Sequence, residues 1–173
     1  MSIAISLGLL ESKLPAGSAQ ARPLVRETRE SLMAALAELR ELTQGIHPTI
    51  LVERGLPIAL DELCRRSALP AHLQLDLDRR LPDQVESAAY FLVSEAVTNA
   101  AKHSHANQIQ VKATYAGDVL TVEVADDGIG GAAVGRGTGL RGLADRVEAL
   151  GGTLTVSSPL GLGTTLRAEF PCA

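Results

Sequence analysis

Tryptophan is absent from this 173-residue chain, and only two Phe and two Tyr stand beside it. A core must therefore come from Leu, Val, Ile and Ala. The aromatic platforms on which many RNA and single-strand binders stack bases are missing. There is no long basic run, and the formal net charge is −4, which speaks against a phosphate-backbone binder. Cysteine is scarce too. Cys64 and Cys172 lie far apart without neighbouring ligand spacing, so neither a disulfide framework nor a zinc site is expected, and a reducing compartment fits. The apolar opening "MSIAISLGLL" has no basic residues ahead of it and is too short to span a bilayer; it reads as the buried face of a helix. No other stretch is long enough to cross a membrane, and the chain as given reads as cytoplasmic.

What is present is a globular balance, with 46% hydrophobic and 21% charged residues, enough for one ordinary domain and an appendage. The appendage comes first. Val25, Thr28, Leu32, Ala35, Leu39, Leu42 and Ile46 recur at alternating spacings of three and four, a heptad seam on a long helix. "LPAGSAQARP" (14–23) reads as a turn between a short first helix and this one. Residues 1–48 thus form a helical hairpin with too little core to stand alone, completed by a second copy in a four-helix bundle or by packing on its own domain. Gly45 and Pro48 end it.

Residues 49–173 read as a second domain. A helix is predicted over 56–68, a strand over 73–77, and a long helix from Pro82 to Ser104. Strands follow at 109–115 and from Leu120, then a glycine-rich loop, a helix over 140–150, and strands at 153–158 and 164–170. Leu140, Leu143, Val147 and Leu150 mark one helical face, so the helices cover one side of a sheet. Short turns between the late strands favour a mixed, mostly antiparallel sheet in an α/β two-layer sandwich.

Two features carry chemistry. In "LTVEVADDGIGG" (120–131), Leu120, Val122 and Val124 alternate with polar or small residues, and the next position on the apolar face is Asp126, not Asp127. A buried carboxylate without a partner is expensive, so something must come to it. The second is the long helix, apolar nearly all round from Ala88 to Ala101 but interrupted by Glu95 and Asn99, with Lys102 on the same stripe. An amide oxygen suits a hard cation such as Mg²⁺, and Lys102 suits phosphate; an ordinary salt bridge with a cap-like Asn is the alternative. "DDGIGG" leads through "AAVGRGTGLRG" into a helix start, which offers free N–H groups to phosphate. The order is not that of a dinucleotide fold, and a P-loop lysine is missing.

Taken in order, "SEAVTNAAKHSHA", "DDGIGG" and "GRGTGLRGLADRVEALGG" resemble the N, G1 and G2 boxes of sensor histidine kinases, whose ATP-binding fold is shared with DNA gyrase, gyrase-type chaperones and mismatch-repair ATPases. The stretch "LAELRELTQGIHPTILVERGLPIALDEL" is similar to the nitrate/nitrite-sensor-like subfamily, so the resemblance covers nearly the whole chain. It implies ATP and Mg²⁺ as cofactors. It implies that Asp126 accepts a hydrogen bond from the adenine amino group, that Gly128 and Gly130 let the base approach, and that Thr164 supports the same edge. It implies Asn99 as the Mg²⁺ ligand, Lys102 and His103 near the phosphates, and Gly137, Gly139 and Leu140 at the end of the nucleotide lid. Glu95 matches a water-activating glutamate of gyrase-type ATPases and is expected here only to support the metal site.

The resemblance also implies γ-phosphoryl transfer to a histidine and onward to a response-regulator aspartate, with the intact kinase a homodimer through its hairpin. None of His47, His72, His103 and His105 matches the acceptor position. The expectation is therefore a truncated chain that opens in the downstream half of the acceptor helix, any sensor domain or membrane anchor lying upstream. Two other functions share the fold: a regulatory module that holds ATP without transferring it, and an anti-sigma-type serine kinase, which needs no such hairpin.

Overall fold

The computed structural model describes residue 25, residues 49–132 and residues 138–172. The expected hairpin and Gly137 thus lie outside the described residues, Val25 excepted. All the elements below belong to the second of the chain's two units, His47–Ala173.

Helix α1 spans Thr49–Arg65, longer at its start than predicted, and bends at Gly55 (φ 81°, ψ 174°). Pro57 sits in the first turn after the bend, where its missing N–H costs nothing. Strand β1 (Ala71–Asp76) follows, then helix α2 (Asp83–Asn99) running directly into a π-helical turn, Ala100–Ser104. Strands β2 (Ile109–Ala116) and β3 (Val119–Asp126) form a hairpin, helix α3 is Thr138–Ala149, and β4 (Thr153–Ser157) and β5 (Thr164–Pro171) finish the domain. The order across the sheet is β1-β2-β3-β5-β4, with β1 parallel to β2 and every other pair antiparallel. The mixed, mostly antiparallel sheet is the one expected.

One face of that sheet is apolar because the strands alternate. Val111, Val124, Leu166 and Val156 line up in one rung, and Ala113, Val122, Ala168 and Leu154 in the next. The adjoining rung ends in Phe170, fully buried opposite Leu120. Leu92, Val93 and Ala89 of α2, with Leu143 and Val147 of α3, close over these rungs. The other face is wet: Arg167 bridges Glu123 at 3.6 Å and Glu169 at 2.9 Å there. Two layers suffice, as a half-solvated antiparallel sheet allows. Burial pushes the Cys64 thiol up to about 11, with Asp61 adding to the effect, and neither cysteine is bridged.

Two carboxylates hold chain crossings that periodicity did not reveal. Glu86, 1% exposed in the first turn of α2, accepts the Arg80 Nε–H and the Leu81 N–H, both at 3.0 Å. Its Oε2 is buried without a partner. At the exposed Asp127, Oδ1 accepts the N–H groups of Asn107 at 2.7 Å and Gln108 at 3.1 Å, tying the entry of β2 to the exit of β3. These backbone donors, Gln108 foremost and then Asn107, hold its carboxyl below the usual value.

Glu86→Ala is expected to cost about 2 kcal/mol, because the buried Leu81 N–H loses its acceptor while Arg80 returns to solvent. The urea midpoint should fall with an unchanged slope. For Asp127 the sign follows from a depressed folded-state value: its contribution is full above the unfolded value of about 3.9 and is lost as pH falls through the lower folded one. Asp127→Asn should therefore lower the denaturation midpoint at pH 7, and the gap to wild type should narrow below about pH 4. A gap that stays constant with pH would show that the ionised form does not hold this crossing.

Candidate functional site

Beyond the last apolar rung the sheet changes character. Ile109, Asp126 and Thr164 are register partners across β2, β3 and β5, so the residue that continues Leu120, Val122 and Val124 is the carboxylate. Asp126 and Thr164 open onto a cavity of about 510 Å³ between the sheet, α2 and α3. Val124 and Leu166 form its floor, Ala96 and Ala100 one wall, and Leu140 of α3 the opposite side. A cavity of this size with apolar walls and a carboxylate and a hydroxyl among its lining residues suits a heteroaromatic base. Asp126 Oδ1 takes the Gly128 N–H at 2.9 Å, which fixes the carboxylate plane and leaves the other oxygen for a donor entering the cavity.

The glycines after β3 serve a purpose the sequence did not disclose. A side chain at Gly128 would run into the Ser104 carbonyl oxygen and lie 2.8 Å from Asp126 Oδ1. At Gly130, with φ at +64°, it would strike the Pro159 carbonyl. Gly128 does not line the cavity, so its bareness lets chain approach chain rather than ligand approach chain. Gly130 does line it. The Ser104 carbonyl accepts the Ile129 N–H at 2.8 Å, and Ser104 Oγ donates to the Ala100 carbonyl at 2.7 Å. Sequence reading passed over Ser104, although a buried serine four residues after a helical carbonyl is a recognisable back-bonding pattern.

Further polar lining comes from α2 and the π turn that follows it. Glu95, Asn99 and His103 face the cavity, and Gly139 and Leu140 close it from α3. Asn99 Nδ2 donates to Glu95 Oε1 over a long 3.4 Å. A carboxylate only accepts, so the amide nitrogen faces Glu95 and Asn99 Oδ1 points the other way, free for a cation or water. Among the described residues no cluster of three or more His, Cys, Asp or Glu side chains could cage a metal. One amide oxygen nevertheless fits Mg²⁺, which keeps waters and phosphate oxygens as its other ligands.

The expected stripe needs one correction. Lys102 does not face this cavity; it lines a second one, of about 440 Å³, between α1 and α2. The π turn at Ala100–Ser104 winds more loosely than an α-helix and rotates residue 102 further from Asn99, whereas His103, four residues on, stays on its side. The stripe is Glu95, Asn99, His103. Asp126, Thr164, Gly130, Gly139 and Leu140 meet around the same space as that stripe.

Residues 84–173 match the family model described as "Histidine kinase-, DNA gyrase B-, and HSP90-like ATPase". The chain is 35% identical, over 98% of its length, to the nitrate/nitrite sensor protein NarQ of Escherichia coli, of which it covers 31%. It is 37% identical over 54% of its length to the signal transduction histidine-protein kinase/phosphatase DegS of Bacillus subtilis, covering 26% of that protein. It therefore spans about a third or less of these relatives. Among solved structures, the blue-light activated histidine kinase of Erythrobacter litoralis EL346 superposes with a TM-score of 0.61 at 21% identity, over 91% of this chain and 64% of that one, a likeness of fold. With more than half of its residues matched, and Asp126, Asn99, Gly130 and Gly139 of the motifs lining one cavity, the chain belongs to the histidine kinase-, DNA gyrase B- and HSP90-like ATPase family.

Proposed function

We propose that this chain is the ATP-binding catalytic region of a sensor histidine kinase of the nitrate/nitrite-sensor type, which passes the γ-phosphoryl group of Mg·ATP to a histidine and onward to an aspartate of a response regulator. One observation carries the nucleotide assignment: Asp126 ends the core face of β3 in register with Thr164 and opens onto an apolar slot. A carboxylate there welcomes the amino group of adenine. Guanine would present a carbonyl oxygen to it, acceptor against acceptor, and such mismatches discriminate strongly. At the other end, Asn99 would hold Mg²⁺, which when bound neutralises phosphate charge. Glu95 keeps the amide turned, and His103, Gly139 and Leu140 border the phosphates. Phosphoryl transfer of this type rests on positioning and charge neutralisation, so the cavity needs no strong base. Glu95 accordingly has a supporting role.

The remaining assignments follow from the resemblance. Residues 1–48 are proposed as part of the dimerisation hairpin and residues 49–173 as the catalytic domain, in a homodimer that works in the cytoplasm. The similarity of "LTQGIHPTILVERGLP" to the subfamily's linker favours this reading over an anti-sigma-type serine kinase or a module that holds ATP without transferring it. Among the described residues no helix is long and apolar enough to cross a membrane.

Calorimetry tests the nucleotide site. ATP and ADP should bind with Mg²⁺ at least about 100-fold more tightly than GTP, and Asp126→Asn should lose most of that affinity. Equal affinity for GTP, or an unaffected variant, would remove the adenine assignment. Asn99→Ala should preserve the fold yet abolish most of the difference between ADP titrations with and without Mg²⁺. A difference as large in the variant as in wild type would exclude Asn99 as ligand.

A further inference from the structure

A residue outside every motif sits one step behind the adenine edge. On β4, Leu154 and Val156 face the core, and the period of two brings Ser158 next, just past the strand end. Three neighbouring strands thus finish their apolar faces in oxygen-bearing side chains: Asp126, Thr164 and Ser158. Ser158 Oγ lies 2.9 Å from Thr164 Oγ1. The same Oγ accepts the Ala132 N–H at 2.9 Å, and the Ser158 carbonyl accepts the Gly131 N–H at 2.9 Å. Ser158 is therefore held from both its backbone and its side chain by the loop that leaves β3.

The direction of the hydroxyl pair decides what the cavity offers. Each hydroxyl has one proton. If Thr164 donated to Ser158, Thr164 would show only lone pairs to the cavity, beside a carboxylate that also only accepts. Adenine needs the opposite pattern, since its amino group donates while the adjacent ring nitrogen N1 accepts. If Ser158 donates to Thr164, the Thr164 proton is free to reach N1, directly or through one water.

Resting on the ATP reading above, we infer that Ser158 is a positioning residue for base specificity: it accepts from the Ala132 N–H, donates to Thr164 Oγ1, and so turns the Thr164 proton toward N1 of adenine. The backbone donor at Ala132 fixes one end of this relay and the base completes the other. Ser158 touches no part of the nucleotide; it sets the polarity of the group that does. The same loop contacts would also serve as a plain structural staple, and the two roles differ in one respect. Only the relay depends on the nitrogen at position 1 of the base.

The test pairs ATP with 1-deazaadenosine triphosphate, in which N1 is replaced by CH, on wild type, Ser158→Ala and Ser158→Thr. Wild type should bind the deaza nucleotide about five-fold more weakly, the value of one hydrogen bond. Ser158→Ala should lose about five-fold for ATP but less than two-fold for the deaza nucleotide, and Ser158→Thr should restore ATP binding. A Ser158→Ala variant that weakens both nucleotides equally, or neither, would overturn the relay. So would a wild-type protein indifferent to N1, a result that needs no variant to fold. If that indifferent protein still loses ATP on Asp126→Asn, the relay falls and the ATP site stands; wild type that binds neither nucleotide removes both.

Discussion

The strand register that carries Asp126 onto the core face is the constraint on which the rest of the domain turns. Val122 and Val124 must face α2 because they are the core, and the period of two leaves no freedom for position 126. A slip of one residue would bring Asp127 inward and put three valine and leucine side chains in water. It would also break the crossing in which Asp127 takes the Asn107 and Gln108 N–H groups. Adjacent carboxylates thus have opposite duties, one exposed and structural, one facing the cavity. Hydrophobic burial places the cavity-facing carboxylate, so that the cavity and the core share a strand here.

A second constraint fixes the two ends of the cavity to each other. The loop after β3, which follows Asp126, is bound to the π turn at the end of α2, which carries His103. Ser104 is the joint: its carbonyl takes the Ile129 N–H, and the bare Gly128 packs against it. Moving the cavity-facing carboxylate of Asp126 would therefore drag the π turn and His103 with it. On the other side, a side chain at Gly139 would lie 3.0 Å from Glu95 Oε1, so the first turn of α3 seats closely on α2. The distance between Asp126 and the Glu95–Asn99–His103 stripe is set by such backbone-to-backbone packing, which is stiffer than contacts between long side chains.

Much of this was legible beforehand, for a physical reason. Strands with one wet face announce themselves by alternation, and β2, β3, β4 and β5 were all read to within a residue or two. Asp126 was separable from Asp127 by the same period. The start of α1 was not legible, because Gly45, Pro48, Gly55 and Pro57 punctuate the sequence as a loop would, whereas the chain uses Gly55 as a bend within a helix. Lys102 joins the stripe by α-helical spacing, and nothing in "NAAKHSH" signals the π turn that carries it away, while His103, four residues after Asn99, stays on it. Glu86 escaped notice because its partners, Arg80 and the Leu81 N–H, come from a loop whose path periodicity does not describe. The glycines of "DDGIGG" were read as room for a ligand; at Gly128 the room is taken by Ser104. Local pattern gives the face of a residue, and tertiary crossings give its neighbour.

The same separation explains the assignment of Glu95. By type and position it looks like a general base, a half-buried carboxylate on a helix beside a candidate metal ligand. Its Oε1 receives the Asn99 amide at 3.4 Å, and a side chain at Gly139 would lie 3.0 Å from the same oxygen, so this oxygen is turned to the amide. A hydrolytic enzyme requires a base aimed at a water. A phosphoryl donor to another protein group requires instead that water stay unactivated and that the metal ligand hold one orientation. Glu95 as found meets the second need, since turning Asn99 Oδ1 toward the cavity is what its hydrogen bond accomplishes. In the kinase proposed above, the carboxylate at this position would act first as the brace of an amide.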